Sequence, residues 1–447
     1  MKKYDVVIIG AGPAGYKTAL LLGDAGKKTL LIDKSKMNIG GTCLNEGCIP
    51  TKNYLESAKF ISHIDYFNSY GVEVELKSFN LTSLKEKTTL LKNEIRSGVV
   101  WMLEQSKVDT LYGDAIFVDT NTIEVAQEQI EFEKCIIATG SQVRQNELLQ
   151  VDSKHIITSA EIFTLDTLPK SITIIGGGAI ACEAATFFNA FGVEVTLIVR
   201  NSRLIPSEDE DISKALLRGF KKRNITVHLS TTLNKVQFNE SGVELFINNT
   251  QDNIKSELVL SAIGRIPNTN TLNLRNAQIE QDTNQFIVVN SSFETSQKNI
   301  YAIGDCINTP AFAHTAYAEA KTVAHNIINN EQNINSHITP ITIFTNPSIA
   351  SCGIQEKEAQ EKKIEFEVKK AYFKVNAKAK IIGDDSGFAK VIICSKSGMI
   401  LGCSIIGVDA TEIIHEMLIA IESKMTIQEL RKIIHAHPTI SEIISYL

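Results

Sequence analysis

The chain opens on an almost uninterrupted apolar run, Tyr4-Asp5-Val6-Val7-Ile8-Ile9, which passes directly into Gly10-Ala11-Gly12-Pro13-Ala14-Gly15. A short run of this kind is expected to be a buried strand, followed by a helix to about Ala25 and a second strand from Lys28 to Ile32. The second strand ends at Asp33, 23 residues after Gly10. The pattern recurs: Ser171 to Ile175, then Gly176-Gly177-Gly178-Ala179-Ile180-Ala181, a helix to about Phe191, and a strand from Val193 to Val199. From about Ser336 the character changes to alternating apolar segments such as Ala389-Lys390-Val391-Ile392-Ile393, followed by helices after Ala410. The expected fold class is α/β, with two Rossmann-like dinucleotide-binding domains and a C-terminal α+β domain.

Each glycine run follows the logic of a nucleotide-binding turn. Gly10 makes the turn, Gly12 permits close approach of a pyrophosphate, and Gly15 lets helix and strand pack; Asp33 is placed to bond a ribose hydroxyl. In the second unit Gly176 and Gly178 take the first two positions and Ala181 the third, a tolerated replacement. Two dinucleotide sites in one chain imply two cofactors, and favour electron transfer between them over a simple dehydrogenase.

Composition narrows the class. The 447 residues are enough for two to four domains, and 43% hydrophobic residues with only 9 prolines supply large cores. A formal charge of −6 and the absence of a basic stripe argue against nucleic acid as a partner. Lys2-Lys3 before an apolar stretch imitates a signal peptide, but Asp5 and Lys17 interrupt it and its glycines are spaced for phosphate. No run reaches the roughly 18 to 20 apolar residues of a membrane span. A soluble, cytoplasmic protein without a membrane partner is expected. Eight cysteines in so long a chain are no secreted disulfide framework, and none has metal-ligand spacing.

Two of those cysteines, Cys43 and Cys48, lie within Gly-Gly-Thr-Cys-Leu-Asn-Glu-Gly-Cys-Ile-Pro-Thr-Lys (Gly40 to Lys52). On an ideal helix, positions five apart are roughly 8 to 9 Å apart at Cα, beyond the roughly 7 Å limit for a bridge. Pairing would need a distorted first turn, for which Gly47 offers backbone freedom, while Pro50 suits the first turn of a helix continuing through Lys52, Leu55 and Ala58. A thiol at that helix start would have its pKa lowered. For an arbitrary pair at this spacing, two buried and unpaired cysteines are the commoner reading. The flanking residues and the upstream glycine turn overturn it.

The Gly40 to Lys52 segment closely resembles the redox-active site of the flavin-dependent pyridine nucleotide–disulfide oxidoreductases. Cys135-Ile136-Ile137-Ala138-Thr139-Gly140, Ala262-Ile263-Gly264-Arg265-Ile266-Pro267-Asn268 and Asn299-Ile300-Tyr301-Ala302-Ile303-Gly304-Asp305 resemble that family's crossing and second flavin motifs, in its order. The resemblance implies an FAD-binding domain over residues 1–145 and 269–335, an NAD(P)-binding domain over 146–268 and an interface domain over 336–447. It makes Cys43 the thiol that exchanges with substrate and Cys48 the thiol against the flavin. Lys52 would lie beside flavin N5, paired with Glu183; Thr42, Thr139, Gly140, Asp305 and Gly264 would join the cofactor-binding residues. The string His435-Ala436-His437-Pro438-Thr439-Ile440-Ser441-Glu442 resembles the family's acid–base motif, with His437 as base and acid and Glu442 orienting it. In the family this motif serves the other subunit, so a homodimer is implied.

Within the family the string is nearer to the dihydrolipoamide dehydrogenases than to glutathione reductase. The implied reaction passes electrons from a small or protein-borne dihydrolipoyl dithiol through Cys43–Cys48 and FAD to NAD(P). The alternative is an NADPH-driven reductase of another low-molecular-weight disulfide. Mercuric reductase is disfavoured, because its extra C-terminal cysteine pair is missing before Leu447. The chain also stops short of the usual tail of dihydrolipoamide dehydrogenases, which bears on dimer packing and lipoyl access. One departure concerns the nucleotide. NAD-using members carry a glutamate where this chain has Val199, followed by Arg200 and then Arg203. Loss of the acid and gain of an arginine favour a 2′-phosphate, so NADP(H) is expected to be used at least as well as NAD(H).

Overall fold

The computed structural model describes residues 2–239, 242–248, 253–334 and 338–447. The expected domain junction at 335/336 lies outside the described residues. The chain divides into two compact units, one comprising Met1–Asn53, Thr82–Arg144 and Gly264–Ser336, the other Tyr54–Leu81, Gln145–Ile263 and His337–Leu447.

The first unit is built on a seven-stranded sheet. Its centre is the Lys2–Ile9 strand, paired in parallel with Thr29–Asp33 on one side and Glu128–Ile137 on the other. Ile300–Ala302 joins Glu128–Ile137 in parallel, and Thr122–Val125 adds an antiparallel extension. Val6, Val7 and Ile8 of the central strand are buried, as are Leu30, Leu31 and Ile32 on one side and Cys135, Ile136 and Ile137 on the other. That accounts for the uninterrupted apolar runs: a parallel strand covered on both faces has no solvent side to mark with polar residues.

The turn after the first strand depends on glycine. Gly10 has φ +106°, and a Cβ there would lie 2.3 Å from the Ala138 carbonyl oxygen. The Pro13–Asp24 helix then begins with Gly12 at its N-cap and no side chain capping it.

The second unit contains a five-stranded parallel sheet in the order Thr226–His228, Glu194–Ile198, Ser171–Ile175, Leu258–Ser261, Ile156–Ile157. The Ala179–Ala190 helix follows its central strand, again from an uncapped glycine, Gly178. A second sheet in this unit is antiparallel, in the order Ile341–Ile343, Ile349–Gly353, Ile400–Ile406, Phe388–Cys394, Phe366–Tyr372. The Ala410–Glu422 helix buries Ile413, Ile414, Met417 and Ala420 against that sheet's apolar core. The expected fold class, two Rossmann-type folds with a C-terminal α+β domain, is therefore borne out. Among the described residues no helix is long and apolar enough to cross a membrane.

Candidate active site

The cysteine segment does not form one distorted helix. A one-turn helix, Gly41–Asn45, ends at Glu46, and a second helix, Cys48–Ser62, begins two residues later. Cys43 and Cys48 thus sit on separate helices, and the spacing limit of a continuous helix does not apply. Gly47 contributes closeness rather than an unusual torsion: a Cβ there would lie 3.0 Å from the Thr42 carbonyl oxygen and 3.5 Å from the Cys43 Cα. The two cysteine side chains are joined by a hydrogen bond.

The expectation of a lowered thiol pKa does not extend to Cys43. Its thiol is pushed up, first by the hydrogen bond with Cys48 and then by burial, with the Lys52 charge opposing. Cys43 lies within the short helix and not at the start of the longer one. Two neighbouring thiols also resist carrying charge together. Cys48 and Lys52 stand one turn apart, on one face of the longer helix.

A group of polar residues that sequence reasoning missed fastens this segment. The Asn45 amide donates to the Gly41 carbonyl at 2.9 Å, and its Oδ1 accepts from Arg96 Nη2 at 2.6 Å. Lys92 Nζ donates to the Asn45 carbonyl at 3.2 Å. Burial lowers the Lys92 pKa, and the neighbouring Arg96 charge adds to the effect. Both cations come from the Leu81–Gln105 helix, which has no motif that would have announced them.

The glycine turn and the cysteine segment meet. The Gly12 and Gly41 Cα atoms pack so closely that a Cβ on Gly41 would lie 2.7 Å from Gly12 Cα. Gly15 is equally tight, since a Cβ there would overlap the Gly10 carbonyl oxygen at 1.7 Å. Asp33 bonds the glycine turn and its own loop: Oδ2 accepts from Ala11 N–H at 2.6 Å, and Oδ1 from Lys34 N–H at 2.7 Å and Asn38 Nδ2 at 2.5 Å. Asp305 accepts from Ser141 Oγ at 2.8 Å, and Ser141 Oγ accepts from Arg265 Nε at 2.7 Å. Arg265 follows Gly264 in the strand Arg265–Pro267, which pairs with Ser141–Val143. This chain of bonds fixes Asp305 without using its other oxygen.

Whether these residues suit FAD is tested by what they leave over. Thr139 Oγ1 and Thr315 Oγ1 are buried without a hydrogen-bond partner. Gly140 has open space where a side chain would stand. The uncapped start of the Pro13–Asp24 helix offers N–H groups to an anion. Buried hydroxyls and free helix-start donors are what a dinucleotide's pyrophosphate and sugar need, so the first unit fits FAD. The second unit offers the same uncapped helix start at Gly178, with open space around it, after Gly176 at φ +137°.

At the end of the second Rossmann strand, Val199 is buried and packs on Gly177, where a Cβ would lie 2.5 Å from Val199 Cγ1. Arg200 is exposed, and Arg203 Nη2 donates to the Pro206 carbonyl at 2.7 Å. Arg203 also lines an open pocket of about 460 Å³ with Ser202, Ser213, Lys214, Glu210 and Lys357. Leu204, Leu217 and Leu229 complete its wall, so cations stand beside apolar surface and Glu210, with no carboxylate at Val199 itself.

His437 and Glu442 form a pair in the second unit, with Nδ1 2.9 Å from Oε1. The other Glu442 oxygen accepts from Thr439 N–H at 2.9 Å. The Thr439 N–H, and after it the His437 bond, hold the Glu442 carboxyl below its usual range. Orientation through Nδ1 leaves Nε2 facing outward, and the His437 side chain is 70% exposed. His435 pairs separately with Glu416, at 3.1 Å. Glu183 is buried and its Oε1 accepts from Phe344 N–H at 2.9 Å; Lys52 belongs to the first unit.

Comparison with known proteins agrees along the whole chain. Residues 4–320 match the model of the pyridine nucleotide-disulphide oxidoreductases, and residues 339–447 match that family's dimerisation domain. A dihydrolipoyl dehydrogenase of Bacillus subtilis is 32% identical, over 98% of this chain and 94% of its own length. A dihydrolipoyl dehydrogenase of Chlorobaculum parvum is 34% identical, over 98% and 95%. Among solved structures, the HOCl-induced flavoprotein disulfide reductase RclA of Escherichia coli superposes with a TM-score of 0.90 at 26% identity, over 99% of both chains.

Proposed function

Because the chain belongs to the pyridine nucleotide–disulphide oxidoreductases and carries their dimerisation domain, we propose that it is a homodimeric dihydrolipoamide dehydrogenase. It is a flavoprotein oxidoreductase that uses FAD and a pyridine nucleotide. The observation that carries the finer reading is the hydrogen-bonded Cys43–Cys48 pair packed beside the first dinucleotide turn.

In this reading a substrate thiolate attacks Cys43 of the Cys43–Cys48 disulfide. The bond between the two cysteines breaks, a substrate–Cys43 disulfide forms, and Cys48 leaves as thiolate. His437 of the second subunit takes the proton of the remaining substrate thiol, which then attacks its own partner sulfur. The substrate closes to a disulfide and Cys43 is released with the bonding electron pair. Glu442 stabilises the imidazolium that forms on His437. Bound FAD, held by the Gly10–Gly15 turn, Thr42, Thr139, Gly140 and Asp305, supplies the two-electron carrier between this dithiol and the nicotinamide. Lys52, one turn from Cys48 on the same helix, keeps positive charge near it. Gly176 and Gly178 hold the nicotinamide dinucleotide at the second helix start.

Steady-state turnover with lipoamide, glutathione disulfide and coenzyme A disulfide tests the substrate. Lipoamide is expected to exceed the others in kcat/KM by at least about tenfold, the scale set by a few pocket contacts. Glutathione disulfide as the best substrate would overturn the assignment in favour of a glutathione-reductase-like enzyme.

The nucleotide is a separate matter. Val199 and the exposed Arg200 motivate the expectation that kcat/KM with NADP(H) equals or exceeds that with NAD(H). Arg200→Glu should then swing the ratio toward NAD(H) by about tenfold or more, since it replaces an attraction for the 2′-phosphate by a repulsion. A clear preference of the unmodified enzyme for NAD(H) sinks this reading of Arg200.

A further inference from the structure

Three residues of the Leu81–Gln105 helix, Thr88, Lys92 and Arg96, follow one another at four-residue steps and so line one face of it. That face reaches both sides of the cysteine pair. Toward Cys43, Lys92 Nζ and Arg96 Nη2 hold Asn45, the last residue of the Gly41–Asn45 helix. The Asn45 amide in turn gathers the carbonyls of Gly41 at 2.9 Å, Asn38 at 3.3 Å and Ile39 at 3.4 Å. Toward Cys48, Asn53 of the Cys48–Ser62 helix donates through Nδ2 to Thr88 Oγ1 at 2.7 Å. The bracing face is itself fixed. Arg96 is buried, and its Nη1 donates to Asn93 Oδ1 at 2.7 Å while Nη2 bonds Asn45. Thr88 is buried too, and its hydroxyl hydrogen goes to the Leu84 carbonyl at 2.7 Å, which leaves its oxygen as the acceptor for Asn53.

Between Asn45 and Cys48 only Glu46 and Gly47 remain, so one helix face fastens the chain on either side of the break that separates the two cysteines. We propose that Thr88, Lys92 and Arg96 are positioning residues that hold Cys43 and Cys48 at bonding approach in the reduced protein, and thereby favour closure of their disulfide. This rests on the reading of the two cysteines as the redox pair. In exchange with lipoamide the Cys43–Cys48 bond forms and the lipoamide S–S bond breaks, and two electrons with two protons pass to the lipoamide sulfurs. Mobile thiols lose conformational freedom when they close, whereas thiols already held face to face lose little. The ordering is done on folding, by hydrogen bonds that lie outside the redox centre and that neither gain nor lose electrons.

The test uses the FAD-loaded protein and its Arg96→Leu and Thr88→Val variants, which release the chain at opposite ends of the brace. Each is equilibrated without air or pyridine nucleotide in mixtures of lipoamide and dihydrolipoamide, quenched in acid and alkylated with N-ethylmaleimide. Mass spectrometry of the Cys43–Cys48 peptide then gives the ratio of dithiol to disulfide. Arg96→Leu is expected to shift the equilibrium toward the dithiol about tenfold, which raises the potential by about 30 mV. Thr88→Val changes no charge and should shift it the same way by about threefold. Ratios within about twofold of the unmodified protein in both variants, or a shift toward the disulfide, overturn the proposal. A shift in only one variant overturns it as well, because a brace needs both ends; in Arg96→Leu alone it would belong to the lost charge. The reading beneath it fails by a different result: if the unmodified protein shows no Cys43–Cys48 disulfide at any lipoamide ratio, the two cysteines are not the redox pair.

Discussion

Cys43→Ser is expected to lower lipoamide turnover by at least about a thousandfold while leaving FAD bound. A serine hydroxyl cannot form the mixed disulfide, so the variant loses the bond-forming partner itself and not merely a few kcal/mol of stabilisation. The substitution removes one sulfur from a segment held independently by Asn45, Lys92 and Arg96, so the fold and the dinucleotide turn should survive. Reduction of a dye that accepts electrons directly from flavin, driven by NAD(P)H, should accordingly continue in the variant. Cys48→Ser should lose lipoamide turnover to the same degree, yet leave Cys43 open to alkylation. Lipoamide turnover above about a tenth of the unmodified rate in Cys43→Ser would remove the thiol relay from the mechanism.

Much of the fold was readable because its central strands are covered on both faces. Such strands give continuous apolar runs, and the glycine turns after Ile9 and Ile175 then mark where each helix begins. The local geometry of the cysteine segment was less accessible. Spacing alone suggests a strained single helix, whereas the chain breaks into two helices at Glu46 and Gly47. Asp33 shows a similar limit: its position was plain, but the two bonds it accepts from its own loop depend on how residues 34 to 38 fold back. Least legible were pairs distant in sequence. Arg96 bonds Asn45 across 51 residues, from a helix with no motif to mark it. Lys390 did carry a signal, as a lysine within the apolar run Ala389 to Ile393. A cation at such a place demands a partner, but nothing local names it.

Lys390→Met is expected to destabilise the protein by about 3 to 5 kcal/mol, because it strands a buried carboxylate. Lys390 is 2% exposed, and its ammonium bonds Asp209 at 2.8 Å, Asp211 at 2.9 Å and Glu356 at 2.5 Å. Burial works against that charge, but the bond to Asp209 and then those to Glu356 and Asp211 outweigh it and raise the lysine pKa. Asp209 is itself buried, and it caps the Glu210–Lys222 helix by accepting from the Asp211 N–H. The cost in Lys390→Met therefore comes from Asp209 left charged and unpaired, more than from the attraction lost. Lys390→Met/Asp209→Asn should recover a large part of the loss, since asparagine keeps the cap and removes the stranded charge. Acid provides an independent check. Burial of Asp211 opposes its ionisation, yet the bonds from Lys370 and Lys390 bring its pKa down to about 2. A carboxyl lowered on folding adds stability above its unfolded value, about 3.9, and that stability is lost as pH falls through the folded value. The gap in melting temperature between the unmodified protein and Lys390→Met should then be widest near neutral pH and narrow between about pH 4 and pH 2. A gap that is constant across that range would mean that the methionine harms packing and that the charges are not its cause.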